Sequence, residues 1–325
     1  MSLKQETQEI CNQYQIQPLR RRGQNFLISP DAINKLLDAA NLEKSDYVIE
    51  IGAGLGILTQ EIAKKVKKVF AVEIDKKLIE VLKDRLKDYK NIEILQEDIL
   101  QIPNSRFSAT DPSGCADPLA KPSGQCCDDY KVVANLPFNI TSAVLRKFLE
   151  NPDATRGRDS DQERRRKPKS ITLILQKEVG ERILAKPPKM NLLAISVQFY
   201  SQPKKIFKIS KENFWPKPKV DSAILRIEPR TNTDDTRTDT ENSQRKSVLC
   251  RCESVLKVDD ENFFQIVRAG FSSPRKYLLN NLVKSGIVNK EEGENILSQT
   301  NLSLKSRAQE LSIENWINLV NKIKK

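Results

Sequence analysis

The chain has 325 residues, with Lys+Arg 55 against Asp+Glu 43, a net charge of +12 and a pI of about 9.3. That length accommodates one sizeable domain and a small second one, and the basic balance suits a polyanionic partner. Zero histidines exclude a Cys/His zinc site and every Ser-His-Asp or Cys-His hydrolase. The six cysteines lack metal-ligand spacing, no apolar stretch is long enough to span a bilayer, and the start is polar (Ser2-Leu3-Lys4-Gln5-Glu6). A cytoplasmic monomer with reduced thiols, no metal and no membrane association is expected.

In chain order, residues 31–40 carry a helical apolar period, and Tyr47-Val48-Ile49 opens a strand near 47–51. Glu50-Ile51-Gly52-Ala53-Gly54-Leu55-Gly56 follows, leading into helix-period residues Leu58, Ile62, Ala63 and Val66 over 57–67. This reads as strand, tight turn and helix, with glycines letting backbone approach a ligand. A dinucleotide fingerprint needs Gly-x-Gly-x-x-Gly, whereas here the third glycine comes one residue early. Glu50 beside the turn would repel a phosphate, so a cationic, phosphate-free nucleoside fits better, and S-adenosyl-L-methionine is the obvious one.

Val69-Phe70-Ala71-Val72 forms a second strand ending in Glu73, 21 residues after Gly52, where a carboxylate can accept both ribose hydroxyls. A helix over 76–88 precedes a third strand near 92–96, after which Asp98 can accept from the amino group of the cofactor's adenine. The strand near 131–135 ends in Asn135-Leu136-Pro137-Phe138. The Asn135 side-chain oxygen and the Leu136 carbonyl can accept hydrogen bonds from an exocyclic amine, Pro137 fixes φ, and Phe138 offers a ring for stacking. Ala143 to Leu149 continues as helix, followed by strands at Ile171–Leu175, Ile195–Tyr200 and Ala223–Ile227, the last two forming an antiparallel pair at one edge. The alternation predicts an α/β domain with a mostly parallel central sheet. From Asp259 onward the pattern is helical, closing with Leu311 to Ile323 and Ser312 as its N-cap.

These residues resemble a known family, the ribosomal RNA adenine dimethyltransferases that modify small-subunit rRNA. The resemblance is carried by Gly23-Gln24-Asn25-Phe26-Leu27, Glu50 to Gly56, Glu73, Asp98, Asn135 to Phe138, and Gln176-Lys177-Glu178-Val179 with Glu181-Arg182. It continues through Phe214-Trp215-Pro216-Lys217-Pro218-Lys219-Val220-Asp221-Ser222 and Gly270-Phe271, with Arg275-Lys276 and Leu279-Asn280-Asn281-Leu282. The resemblance implies a Rossmann-like S-adenosylmethionine-dependent methyltransferase sheet with a small C-terminal helical domain. It implies that Asn25 and Leu27 close over the cofactor, that Gly52, Gly54, Glu73 and Asp98 bind it, and that Asn135 touches cofactor and target. The partner would be small-subunit rRNA or the assembling small ribosomal subunit. Two rival readings share these features: a large-subunit rRNA adenine methyltransferase of the antibiotic-resistance type, and a non-catalytic ribosome-assembly or transcription factor.

Phe214, in an extended stretch braced by two prolines, would cover the second face of a flipped adenine opposite Phe138, or else be a core aromatic that anchors its loop. Arg20-Arg21-Arg22, Arg275 and Lys276 are candidate RNA contacts. Three polar inserts depart from a compact family member: 104–129, 151–169 with its Arg164-Arg165-Arg166 run, and 231–247. The expected division is a methyltransferase domain over 1–230, a polar linker over 231–257 and an RNA-gripping helical domain over 258–325.

Overall fold

A computed structural model describes residues 1–18, 23–102, 130–136, 140–150, 167–230 and 259–323. In chain order come α1 (Leu3–Gln13), β1 (Phe26–Leu27), α2 (Pro30–Ala40), β2 (Tyr47–Ile51), α3 (Ile57–Ala63), β3 (Lys68–Glu73), α4 (Lys76–Arg85) and β4 (Ile92–Gln96). Next are β5 (Tyr130–Asn135), α5 (Thr141–Leu149), β6 (Ser170–Gln176), α6 (Lys177–Ile183), α7 (Leu192–Tyr200), β7 (Ser201–Ile209), β8 (Phe214–Trp215) and β9 (Ser222–Pro229). After residue 258 the described elements are α8 (Asp260–Gly270), α9 (Leu278–Lys284), α10 (Lys290–Gln299) and α11 (Ile313–Ile323).

Seven strands form one sheet in the order β4-β3-β2-β5-β6-β9-β7. The first five run parallel, and β9 is antiparallel to β6. Parallel strands covered on both faces need near-continuous apolar runs. Val48, Ile49, Val69, Ala71, Val132, Val133 and Ala134 supply them, all fully buried. Chain order reverses at β2, which has β3 on one side and β5 on the other, and such a reversal opens a crevice at the strands' carboxyl ends. At the opposite end, Lys131 Nζ meets Asp46 Oδ2 at 2.7 Å with both side chains nearly inaccessible. Asp46 also accepts the Glu43 N–H at 2.7 Å, so the pair braces the amino ends of β2 and β5.

One expected element is corrected. Ile195–Tyr200, read as a strand, is the second part of helix α7, and the edge strand β7 begins only at Ser201. Ile195-Ser196-Val197-Gln198-Phe199 alternates apolar and polar residues with the period of a half-buried strand, but five residues are too short a window for that period to decide against a helix. The local signal is Asn191, whose side chain accepts the Ala194 N–H at 3.1 Å and caps the helix. The helices expected over 57–67 and 76–88 also end earlier, at Ala63 and Arg85.

The described residues divide into two compact units, one containing the sheet and the other containing Glu181–Gln202 with the helices after residue 258. Within the second, Phe199 of α7 stacks on Phe263 of α8 with ring centroids 4.2 Å apart, and the Tyr200 hydroxyl donates to Asp260 Oδ2 at 2.9 Å. Trp316 of α11 is wholly buried, and a Cβ on Gly270 would collide with its ring. Asn281, also wholly buried, donates from Nδ2 to the Gly270 and Ser273 carbonyls at 2.6 and 3.0 Å. Gly270 and Asn281 therefore have packing reasons of their own. Ser312 caps α11 by accepting the Asn315 N–H at 3.2 Å.

Candidate active site

A cavity of about 450 Å³ opens at the carboxyl ends of β2, β3, β4 and β5. Its size is that of an ordinary small-molecule site. The structure brings Asn25, Leu27, Gly52, Gly54, Glu73, Asp98 and Asn135 together on its wall. Leu136 is 2% exposed and off the wall, so only its backbone carbonyl could face a ligand. Phe214 is 4% exposed and belongs to the main apolar core, paired with Leu27 across the β1–β8 ribbon. In this arrangement its ring offers no face to a base, which is the anchoring alternative rather than the stacking one. Arg275 and Lys276 are exposed in the helical unit. Pro137, Phe138, Arg20, Arg21 and Arg22 lie outside the described residues, as do positions 104–129, 151–166 and 231–257 of the inserts and linker.

The glycine turn grows directly from β2. The Gly52 and Ala53 N–H groups donate to the Val72 carbonyl at 2.9 and 3.2 Å, pinning the turn to β3. Gly54 has φ +58, and a Cβ there would stand 3.3 Å from the Phe26 ring. A side chain would be strained by its backbone and crowded by the aromatic that lies over the turn. Backbone alone therefore lines this part of the cavity.

Three carboxylates surround that turn in different states. Glu73, 8% exposed, takes the Gly54 N–H on Oε2 at 3.0 Å and the Ile74 and Asp75 N–H groups on Oε1 at 2.8 and 3.0 Å. A carboxylate oxygen has two lone pairs. These bonds leave spare accepting capacity on Oε2, so Glu73 suits one strong hydroxyl contact better than a symmetric bidentate one. Burial raises its pKa, and the three backbone N–H groups oppose that rise. Asp98 is half-buried and accepts the Leu100 N–H on Oδ1 at 2.9 Å, which orients its carboxylate after β4. Glu50 is 1% exposed, and its Oε2 has no hydrogen-bond partner. Desolvation pushes its pKa up to about 8, the Thr59 hydroxyl lowers it in part, and the nearby Glu73 raises it further.

Asn135 closes the far wall. Its Nδ2 donates to the Asn25 carbonyl at 2.9 Å, linking the end of β5 to the segment before β1. That bond sets which way the amide points and leaves Oδ1 as the acceptor for a ligand. Asn25 itself donates from Nδ2 to the Gly23 carbonyl at 3.2 Å, which folds the segment across the cavity.

Sequence reasoning missed several wall residues. Glu50, read from the sequence as a phosphate repellent that favours a cationic nucleoside, is itself a buried residue of the wall. Ile74 is 61% exposed and lines the cavity directly after Glu73, where an apolar face can cover a planar ring. Gln24, bonded to Asp75 at 3.4 Å, and Ile140 complete the rim. The residues present fit a cationic, phosphate-free nucleoside: bare glycine backbone, a buried unpartnered carboxyl oxygen, a carboxylate with one spare acceptor and an exposed apolar side chain. Among the described residues no cluster of three or more His, Cys, Asp or Glu is placed to hold a metal ion, and no helix is long and apolar enough to cross a membrane.

Comparisons with known proteins agree with this geometry. Residues 18–245 match the family model described as ribosomal RNA adenine dimethylase. The ribosomal RNA small subunit methyltransferase A of Dehalococcoides mccartyi is 36% identical over 317 residues, covering 97% of this chain and 91% of that protein. The protein of the same name from Bacillus licheniformis is 34% identical over 324 residues, covering 98% and 95%. Among solved structures, a dimethyladenosine transferase from Plasmodium falciparum superposes with a TM-score of 0.63 at 22% identity, covering 90% of this chain and 95% of that one. The 23S rRNA methyltransferase ErmE gives 0.60 at 21% identity, covering 93% and 100%. These two likenesses establish the Rossmann-like methyltransferase fold, and the family match and sequence relatives go further: the chain belongs to the ribosomal RNA adenine dimethylase family.

Proposed function

We propose that this chain transfers methyl groups from S-adenosyl-L-methionine to N6 of two adjacent adenosines near the 3′ end of small-subunit rRNA, giving N6,N6-dimethyladenosine during ribosome assembly. The observation that carries the reading is the Asn135 amide, whose Nδ2 is committed to the Asn25 carbonyl so that Oδ1 remains an acceptor on the cavity wall. The small-subunit target is supported by the names of the sequence relatives, whereas the likeness to the 23S rRNA enzyme is one of fold alone. The non-catalytic reading is disfavoured because Glu73, Asp98 and Asn135 all stand on one cavity wall.

When bound, the cofactor supplies an electrophilic methyl group on a positively charged sulfur. The Gly52 and Gly54 backbone admits its amino-acid portion, Glu73 Oε2 accepts a ribose hydroxyl, Asp98 accepts from the adenine amino group, and Ile74 covers the ring. Asn25 and Leu27 close over it. The target adenine is held through its N6 hydrogens by Asn135 Oδ1 and the Leu136 carbonyl, with Phe138 stacked on the ring.

Accepting those hydrogens favours a more tetrahedral nitrogen and directs its lone pair toward the methyl group. Alignment of this kind is worth roughly 7–11 kcal/mol in ideal cases. The proton leaves N6 for water after transfer, when the nitrogen is strongly acidic, so the chain's contribution is positioning. Arg20, Arg21, Arg22, Arg275 and Lys276 neutralise backbone phosphates, and the protein works in the cytoplasm as a monomer.

The test is an Asn135→Ala variant assayed beside the wild type. Loss of about 10²-fold or more in turnover, with cofactor affinity changed by less than about tenfold, is expected for a group that positions the target. Unchanged turnover would overturn the assignment.

A further inference from the structure

The cavity is acidic inside a basic protein. Its wall carries Glu50, Glu73, Asp75, Glu97 and Asp98, and among the described residues no Lys or Arg lines it, although the whole chain has a net charge of +12. Glu73, Asp75 and Asp98 each accept at least one backbone N–H, which steadies a negative charge. Glu50 is different: it is 1% exposed and its Oε2 has no hydrogen-bond partner.

The elements packed around Glu50 offer it no cation. On one side β3 brings Ala71 to the paired position and Glu73 nearby. On the other, β5 pairs it with Val133, and the Lys131 of that strand is held by Asp46 at the opposite end of the sheet. From α3 comes the Thr59 hydroxyl, and from the closing segment the neutral amides of Gln24 and Asn25. Two neighbouring buried carboxylates do not both ionise unless a positive charge joins them. Glu73 keeps its charge through three backbone N–H groups, so Glu50 is the member whose state the ligand decides.

S-adenosylmethionine and its product S-adenosylhomocysteine share adenosine, ammonium and carboxylate. They differ by a methyl group and one positive charge on sulfur. Transfer breaks the sulfur–methyl bond, leaves its electron pair on sulfur and forms the bond to N6, which gives up a proton to water. The cavity thereby loses one positive charge, and a buried carboxylate without a partner restores the balance by taking a proton from solvent.

We infer that Glu50 determines the preference of the site for methylated over spent cofactor, being ionised while S-adenosylmethionine occupies the cavity and protonated while S-adenosylhomocysteine does. The inference rests on the proposed function and deepens it, since each adenosine is methylated twice and spent cofactor must be exchanged between transfers.

The experiment measures dissociation constants of both nucleosides by equilibrium dialysis at about pH 6 and about pH 7.5, below the value of about 8 to which burial raises Glu50. Release of one proton on binding raises affinity by up to about tenfold per pH unit. Wild type should therefore bind S-adenosylmethionine roughly tenfold more tightly at the higher pH, with S-adenosylhomocysteine changing by less than about threefold. Glu50→Gln, neutral and of the same shape, should keep the affinity for S-adenosylhomocysteine, weaken that for S-adenosylmethionine, and show a ratio that does not move with pH. This comparison also cancels any titration of the nucleosides' own amino group. Should the variant not fold, calorimetry of the wild type in two buffers decides, with close to one proton released by S-adenosylmethionine and none by S-adenosylhomocysteine. An equal pH response or equal proton count for the two nucleosides, or a Gln variant whose ratio still climbs, overturns the inference alone. Absence of binding of either nucleoside to the wild type overturns the proposed function as well.

Discussion

Replacing Glu50 by Gln changes one atom of a carboxyl group that is fully enclosed and whose Oε2 has no hydrogen-bond partner. Desolvation pushes its pKa from 4.5 to about 8. Because the folded-state value is the higher one, this group's stabilising contribution is fully present below about pH 4.5 and is lost as pH rises through about 8. A shift of that size corresponds to ~5 kcal/mol at most. Glu50→Gln, which never ionises, should therefore melt above the wild type near pH 8.5 and match it only near pH 4, below the unfolded-state value of 4.5. Binding should move the opposite way. A cationic nucleoside favours the ionised carboxylate, so wild-type affinity should rise between pH 6 and 8 with release of a proton, and the Gln variant should show neither effect. Calorimetry of S-adenosylmethionine binding in two buffers of different ionisation enthalpy counts the protons. Equal melting profiles for the two proteins, or binding at pH 7 with no proton released by the wild type, would refute the reasoning.

Other consequences follow from single contacts. Lys131→Ala strands Asp46 in the interior and should cost about 3–5 kcal/mol in denaturant titration without altering cofactor contacts. Gly54→Ala forces φ +58 on a residue with a Cβ and pushes on Phe26, so it should lose roughly 1 kcal/mol of stability and weaken cofactor binding together. Phe214→Ala should destabilise by about 3–5 kcal/mol, since the ring is 4% exposed, and cofactor and RNA affinity should fall together. A variant of normal stability that raises only the RNA requirement would return Phe214 to a stacking role. Replacing Arg275 and Lys276 by Ala should lower the salt slope of RNA binding by roughly two, measured by filter binding across a salt series.

The alternation of apolar strands with helix-period segments made the sheet legible, and the wall residues Gly52, Glu73, Asp98 and Asn135 could be read because each ends or follows a strand. Periodicity misleads at α7, where Ile195-Ser196-Val197-Gln198-Phe199 alternates like a strand and the Asn191 cap is the local signal for helix. It fails again for β1 and β8, since strands of two residues have no period, and with them the partnership of Phe26 and Trp215 was invisible. The direction of the Asn135 amide and the buried Lys131–Asp46 pair depend on residues 110 and 85 positions apart, which no local pattern encodes. Glu50 was visible as a residue but not as a charge state, because its pKa is set by a desolvation that only packing reveals.

The most direct measurement is transfer of label from S-adenosylmethionine to unmodified small ribosomal subunits, to large-subunit rRNA and to no RNA, with analysis of the nucleosides formed. N6,N6-dimethyladenosine from the small subunit alone is the expected result. Label in the large-subunit rRNA, or cofactor binding without transfer to either RNA, would contradict the account.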